Sequence, residues 1–88
     1  MEVSIVYNNP SCLSKIQFSK YNHQFRFIDS DTYKGKKEAS KLKKQYSAKL
    51  EPFALILDNK KPIKAFYTEA EDVIESLIKY LDNESTSN

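Results

Sequence analysis

Short apolar runs alternate with polar segments along the chain. The length and residue pattern of four of these runs predict β-strands. Two segments are rich in β-branched and aliphatic residues, namely 2–7 ("EVSIVY") and 53–58 ("FALILD"). In 23–29 ("HQFRFID") phenylalanines alternate with polar residues, and 63–68 ("IKAFYT") is a further short apolar run. Runs of this length and composition are typical of strands. The polar residues at 58–61 ("DNKK") are types that favour a tight turn, so we predict that the last two strands form a hairpin.

Two helices are expected between the first three strands. The segment "PSCLSKIQFSKY" at 10–21 opens with a proline, whose φ is preset for a first helical turn, and Ser11 is its candidate N-cap. A second helix is predicted at about 36–48, where Ala39, Leu42 and Tyr46 recur at helical spacing.

A third helix is the clearest prediction. Thr68 and Glu71 match the capping-box pattern, and an apolar stripe follows, formed by Val73, Ile74, Leu77, Ile78 and Leu81. The last residues, 83–88 ("NESTSN"), are polar and without periodicity, so we expect a disordered C-terminal tail there and a single domain over 1–82.

The order of elements is βαβαββα, which predicts an α/β fold. A strand, a crossover helix and a strand are expected to be parallel, and the hairpin then adds two antiparallel strands to the same sheet. Helices can cover both faces. We therefore predict a three-layer sandwich on a four-stranded mixed sheet.

Composition excludes several classes of site. One cysteine in 88 residues cannot form an internal disulfide or a zinc site made of several thiolates, and we expect no metal site. Apolar runs are all short, so we expect no membrane contact and a cytoplasmic protein.

Charge is concentrated in the segment from Lys34 to Lys49, which has seven lysines and one acidic residue, Glu38. Such a block can attract nucleic acid or an acidic protein surface. The favoured interpretation is a solvated helix face, because the block lacks arginine and has little aromatic interleaving for base stacking. A nucleic-acid-associated protein remains a weaker alternative.

This order of elements, with Cys12 after the first strand and Pro52 before the third, resembles the thioredoxin-like superfamily in its glutaredoxin-sized form. The resemblance extends over nearly all of residues 2–82. It implies that Cys12 is the catalytic nucleophile at the start of the first helix. It also implies that the Glu51–Pro52 bond is cis and that these two residues bind an extended substrate segment.

The superfamily's second cysteine corresponds here to Lys15, so one chain cannot run a dithiol cycle. The expected chemistry is monothiol thiol–disulfide exchange through Cys12, with a protein thiol or disulfide as partner and glutathione as a candidate co-substrate but no resident cofactor. A helix N-terminus and Lys15 would lower the pKa of the thiol. Ser11 and Ser14 could donate hydrogen bonds to the sulfur, but a role at the start of the helix is favoured for both.

A second hypothesis fits the same residues. A redox-inactive thioredoxin-fold module would hold a protein partner on the surface around Cys12 and Pro52 or on the lysine-rich second helix. The two hypotheses differ in what they require of Cys12: thiol–disulfide exchange needs a lowered thiol pKa, and partner binding does not. Whether the protein is an enzyme therefore stays open.

Overall fold

The structure, a computed structural model, describes residues 1–86. In chain order these residues form β1 (Glu2–Tyr7), two 3₁₀ segments (Pro10–Lys15 and Phe18–Lys20), β2 (Gln24–Asp29), α1 (Tyr33–Gln45), β3 (Phe53–Asp58), β4 (Lys61–Tyr67) and α2 (Val73–Thr86). The four predicted strands are confirmed.

The strands form one mixed sheet in the order β2-β1-β3-β4. β1 runs parallel to β2 and antiparallel to β3, and β3 pairs antiparallel with β4. The predicted hairpin turn is formed by Asn59 and Lys60, both with left-handed backbone (φ 51° and 66°), a conformation that matches the twist of a two-residue hairpin.

Each face of the sheet has its own apolar cluster, because successive side chains of a strand point to opposite faces. One cluster joins the sheet to α1 and contains Val6, Ile28, Ala39, Ala48, Phe53 and Leu55. The other joins it to α2 and the 3₁₀ segments and includes Val3, Ile5, Ile16, Tyr21, Ala54, Ile56, Phe66 and the buried residues of α2. These layers are the predicted three-layer α/β sandwich.

The predicted α-helix over 10–21 is wrong, since this segment forms two 3₁₀ segments separated by extended backbone at Ile16. Ile16 and Tyr21 are both buried. Five residues correspond to about 140° around an α-helix, so one continuous helix could not bury both side chains against the same sheet face. Asn9, rather than Ser11, caps the first segment: its side-chain oxygen accepts from the Ser11 N–H at 3.1 Å.

The second helix begins three residues earlier than predicted and ends at Gln45. Thr32 is its N-cap, and its hydroxyl oxygen accepts from the Gly35 N–H at 3.0 Å. Gly35 sits so close to the end of β2 that an added Cβ would lie 2.6 Å from the Asp29 carbonyl carbon. Ser47 then leaves the helical region (φ 59°), which brings the chain back toward the sheet.

The last helix lacks the predicted capping box. It begins at Val73, and the Asp72 side chain accepts from the Glu75 N–H at 3.2 Å, which satisfies one of the free amides of the first turn. The predicted disordered tail over 83–88 is helical as far as Thr86, and residues 87 and 88 lie outside the described residues. Within residues 1–86, no helix combines the length and apolarity needed to span a bilayer.

Candidate functional site

The loop after β1, which leads to Cys12, and the segment with Pro52 before β3 lie at the same end of the sheet. Val6 is paired with Phe53 at the last rung of the β1–β3 ladder. The loop that leaves β1 toward Cys12 and the Pro52 that precedes β3 therefore lie at the same end, together with the ends of β2 and β4. We call this the cis-proline end.

The Glu51–Pro52 peptide bond is cis, as expected. Its position is fixed from the β4 side, because the Thr68 hydroxyl donates to the Pro52 carbonyl oxygen at 2.5 Å. Within residues 1–86, the Glu51 backbone N–H and C=O make no hydrogen bond. A free donor and a free acceptor thus flank the start of β3.

Glu69 holds the segment before Pro52 in place. Its Oε1 atom accepts from the backbone N–H groups of Lys49 and Leu50, at 2.9 and 2.6 Å. Partial desolvation opposes ionisation, but those two amides, the Glu69 N–H and the charge of Lys49 together lower the pKa of Glu69. The carboxylate is therefore a charged clamp between the loop after β4 and the loop before β3.

Cys12 lies half-buried in the first 3₁₀ segment and packs against the cluster under α2. Burial raises the pKa of its thiol, and its own backbone N–H offsets this only in part. This direction is opposite to the expected lowering, because desolvation of the half-buried thiol is the larger effect.

Tyr7, at the end of β1, shows the electrostatic character of the same region. Desolvation raises the pKa of its hydroxyl most, followed by the negative charges of Asp29 and of an ionised Cys12. The negative charges of Asp29 and Cys12 therefore disfavour ionisation of the Tyr7 hydroxyl.

The hydroxyl groups of the two predicted supporting serines donate to partners other than the Cys12 sulfur. The Ser11 hydroxyl donates to the Asn9 side-chain oxygen at 2.8 Å, and the Ser14 hydroxyl donates to the Ser11 carbonyl at 2.8 Å. Lys15 lines a small pocket with Tyr21 and Asp82 and does not contribute to the pKa of Cys12. These three residues shape the loop.

The Glu51 side chain is mostly enclosed, with 12% of its surface exposed. One carboxylate oxygen lies 3.6 Å from the Lys43 ammonium, and the other is buried without a hydrogen-bond partner in the described part of the chain. Lys43 thereby anchors the residue before the cis bond to α1.

A shallow pocket of about 450 Å³ lies beside these residues. It is lined by Tyr46, Ser47, Lys49, Tyr67, Glu69 and Ala70, and the Tyr67 hydroxyl donates to the Tyr46 carbonyl at 2.9 Å. Two tyrosine rings give this pocket an apolar wall. Sequence reasoning missed Thr68 and Glu69 as site residues, because the capping-box pattern accounted for the segment that contains them.

Comparison with known proteins agrees with this geometry. The sequence matches no protein-family model and no curated protein. Its structure is similar to thioredoxin 1 from the thermophilic eubacterium Thermosipho africanus, with a TM-score of 0.57 and 23% identity over 98% of this chain and 100% of that chain. At 23% sequence identity, this structural similarity establishes the fold alone. The predicted resemblance is confirmed at this level: the chain has a thioredoxin-like fold.

Proposed function

We propose that this protein is a thioredoxin-fold module that binds an extended segment of a partner protein at the cis-proline end. The observation that carries the proposal is the pair of unused backbone groups on Glu51, next to a cis peptide bond, within residues 1–86. Thr68 and Glu69, both in the loop after β4, hold the residues before and after Glu51 in place before a partner arrives. Preorganisation of this kind reduces the entropy cost of binding.

An extended peptide would pair with the Glu51 N–H and C=O as an added strand does. Main-chain hydrogen bonds then supply affinity, and pockets for alternate side chains supply specificity. The pocket walled by Tyr46 and Tyr67 suits an apolar or aromatic side chain of that peptide, since tyrosine offers a large contact area at a low entropy cost.

Binding rather than catalysis is favoured because the pKa of the Cys12 thiol is raised instead of lowered. Burial raises the pKa of Cys12, which disfavours the thiolate that disulfide exchange requires. The chain also has no second cysteine to resolve a mixed disulfide. Function would then survive replacement of Cys12 by serine.

Monothiol exchange is the second candidate function, favoured by the location of a partly exposed Cys12 at the cis-proline end. The Cys12 thiolate would attack a disulfide RSSR′, forming Cys12–S–S–R and releasing R′S⁻. Glutathione, as the external thiol, would then attack the R sulfur, giving a glutathione–R disulfide and regenerating the Cys12 thiolate. A cytoplasmic setting, whose glutathione pool keeps a lone thiol reduced, suits both functions.

The proposal can be tested with peptides selected from a random library against the Cys12→Ser protein. We expect them to bind the wild-type protein with the same affinity, to shift the amide resonances of Glu51 and Phe53, and to lose affinity when Pro52 is replaced by alanine. Pro62→Ala, in the edge strand at the other end of the β3–β4 ladder, is the matched control and should bind normally. Disulfide turnover with glutathione above the Cys12→Ser background would establish the second candidate instead.

A further inference from the structure

The solvent face of α1 carries a straight row of lysines. Lys34, Lys37, Lys41 and Lys44 recur at intervals of three, four and three residues, which places them on one side of the helix over about 15 Å. All four are exposed, opposite the face that buries Ala39. We call these four residues the lysine stripe.

No ion pair within residues 1–86 neutralises the charges of the lysine stripe. Glu38 is the one acidic residue between Tyr33 and Gln45, and it pairs with Arg26 of β2. In the part of the chain that the structure describes, none of the four lysines forms an ion pair, whereas Lys43 on the flank pairs with Glu51. A shallow groove of about 470 Å³ runs beside the stripe, lined by Lys34, Lys37, Glu38, Lys41, Leu42 and Gln45.

An exposed aromatic ring lies at the start of this row. Tyr33 is 77% exposed, and the Lys37 ammonium lies 4.7 Å from its ring centroid. The ring therefore contributes little to the core. A ring and ammonium groups on one surface form a combination that stacks a base and neutralises the adjoining phosphates.

We propose that the lysine stripe and Tyr33 bind single-stranded nucleic acid, with Tyr33 stacked on one base and the four lysines on the phosphates beside it. An acidic protein segment would pair with the lysines, whereas a nucleic-acid strand would also stack a base on the exposed ring of Tyr33. A duplex keeps its bases stacked inside, so a single strand suits the ring better. This surface covers the outside of α1 and is separate from the backbone of Glu51 at the cis-proline end.

Counterion release provides the first test. Fluorescence anisotropy would follow the binding of a labelled DNA strand of about 12 nucleotides at salt concentrations from about 20 to 300 mM. Four phosphate contacts predict a slope of log K against log salt near about −3 for a single strand. Absence of binding at about 50 mM salt would overturn the proposal.

Matched variants locate the contact. Lys37→Gln with Lys41→Gln should halve the slope to about −1.5, because two phosphate contacts are lost. Lys60→Gln with Lys64→Gln removes the same charge from the hairpin and should leave the slope unchanged. Equal losses in both double variants would show a delocalised charge effect and contradict the proposal.

Tyr33→Ala separates stacking from charge. We expect affinity to fall about fivefold or more with an unchanged salt slope, since the ring releases no counterion. In a competition experiment, polyglutamate and unlabelled DNA are compared at equal charge concentration for their ability to displace the labelled strand. If polyglutamate displaces the labelled strand as well as unlabelled DNA does, the surface recognises acidic chains in general and the proposal fails. It also fails if Tyr33→Ala binds like the wild type, because the ring then does not stack on a base. All these positions are exposed, so unfolding is not expected.

Discussion

The Thr68 hydroxyl donates a 2.5 Å hydrogen bond to the Pro52 carbonyl oxygen, which ties the loop after β4 to the cis peptide that begins β3. These residues are 16 positions apart in sequence. Their contact joins two loops that have no regular secondary structure of their own. The shape of the candidate binding surface therefore depends on side chains in the loop after β4.

Replacement of Thr68 by valine keeps the side-chain shape and removes the donor. We expect the free energy of unfolding to fall by about 1 kcal/mol, because the Pro52 carbonyl loses its partner. Urea denaturation measures this change, and Thr68→Ser, which keeps the hydroxyl, is the control. If the valine variant is as stable as the serine variant, the hydrogen bond does not hold the loop.

The pH dependence of stability should reflect Glu69. Its folded pKa is lowered, so its contribution is fully present above the unfolded pKa of about 4.5 and is lost as the pH falls through the folded pKa. Urea midpoints at pH 7 and pH 3 should differ less in Glu69→Gln than in the wild type. Equal pH dependence in the two proteins would contradict the role of the carboxylate as a charged clamp.

Gly35 is required by close packing between α1 and the end of β2. A Cβ there would collide with the Asp29 backbone, so Gly35→Ala should destabilise the protein by about 1–3 kcal/mol despite the better helix propensity of alanine. Ser40→Ala, on the exposed side of the same helix, should change stability by no more than about 0.5 kcal/mol. A stabilised Gly35→Ala protein would show that β2 and α1 are less closely packed.

Tyr21 anchors the second 3₁₀ segment to α2. Its hydroxyl donates to the Asp82 carboxylate at 2.6 Å, and this bond, with burial and the carboxylate charge, raises the pKa of Tyr21 to about 12. The resulting stabilisation is present below the unfolded pKa of about 10 and is lost as the pH rises through about 12.

An ultraviolet titration should therefore show one tyrosine ionising near pH 12 in the folded protein. Tyr21→Phe should remove this step, and Asp82→Asn should move it to lower pH, because the charged acceptor is gone. A step that persists in Tyr21→Phe would have to be assigned to another tyrosine.

Most of the fold follows from the sequence because strand composition and the apolar stripe of α2 are strong local signals. The turn at Asn59 and the strand that begins at Phe53 are both where their residue types predict them. The cis bond before Pro52 was inferred from a resemblance, not from any local property of glutamate and proline.

The errors have a common cause in long-range packing. A proline and a serine predicted an α-helix after β1, but the burial of both Ile16 and Tyr21 divides that segment. The expected helix is also the basis for predicting a lowered pKa for Cys12, whereas burial of the thiol acts in the opposite direction. Thr68 fits a capping box in sequence, yet its hydroxyl is used on Pro52, a partner that only the tertiary structure supplies.

The ionisation of Cys12 tests the central claim most directly, namely that the cis-proline end binds a partner without an activated thiol. Because the chain has one cysteine, the rate of iodoacetamide alkylation against pH reports this group alone. Unfolded protein in urea is the reference. We predict that the folded protein reaches half its maximal rate at a higher pH than the unfolded chain, above the ordinary thiol value of about 8.5. A midpoint below that of the unfolded chain would contradict this account and favour thiol–disulfide exchange.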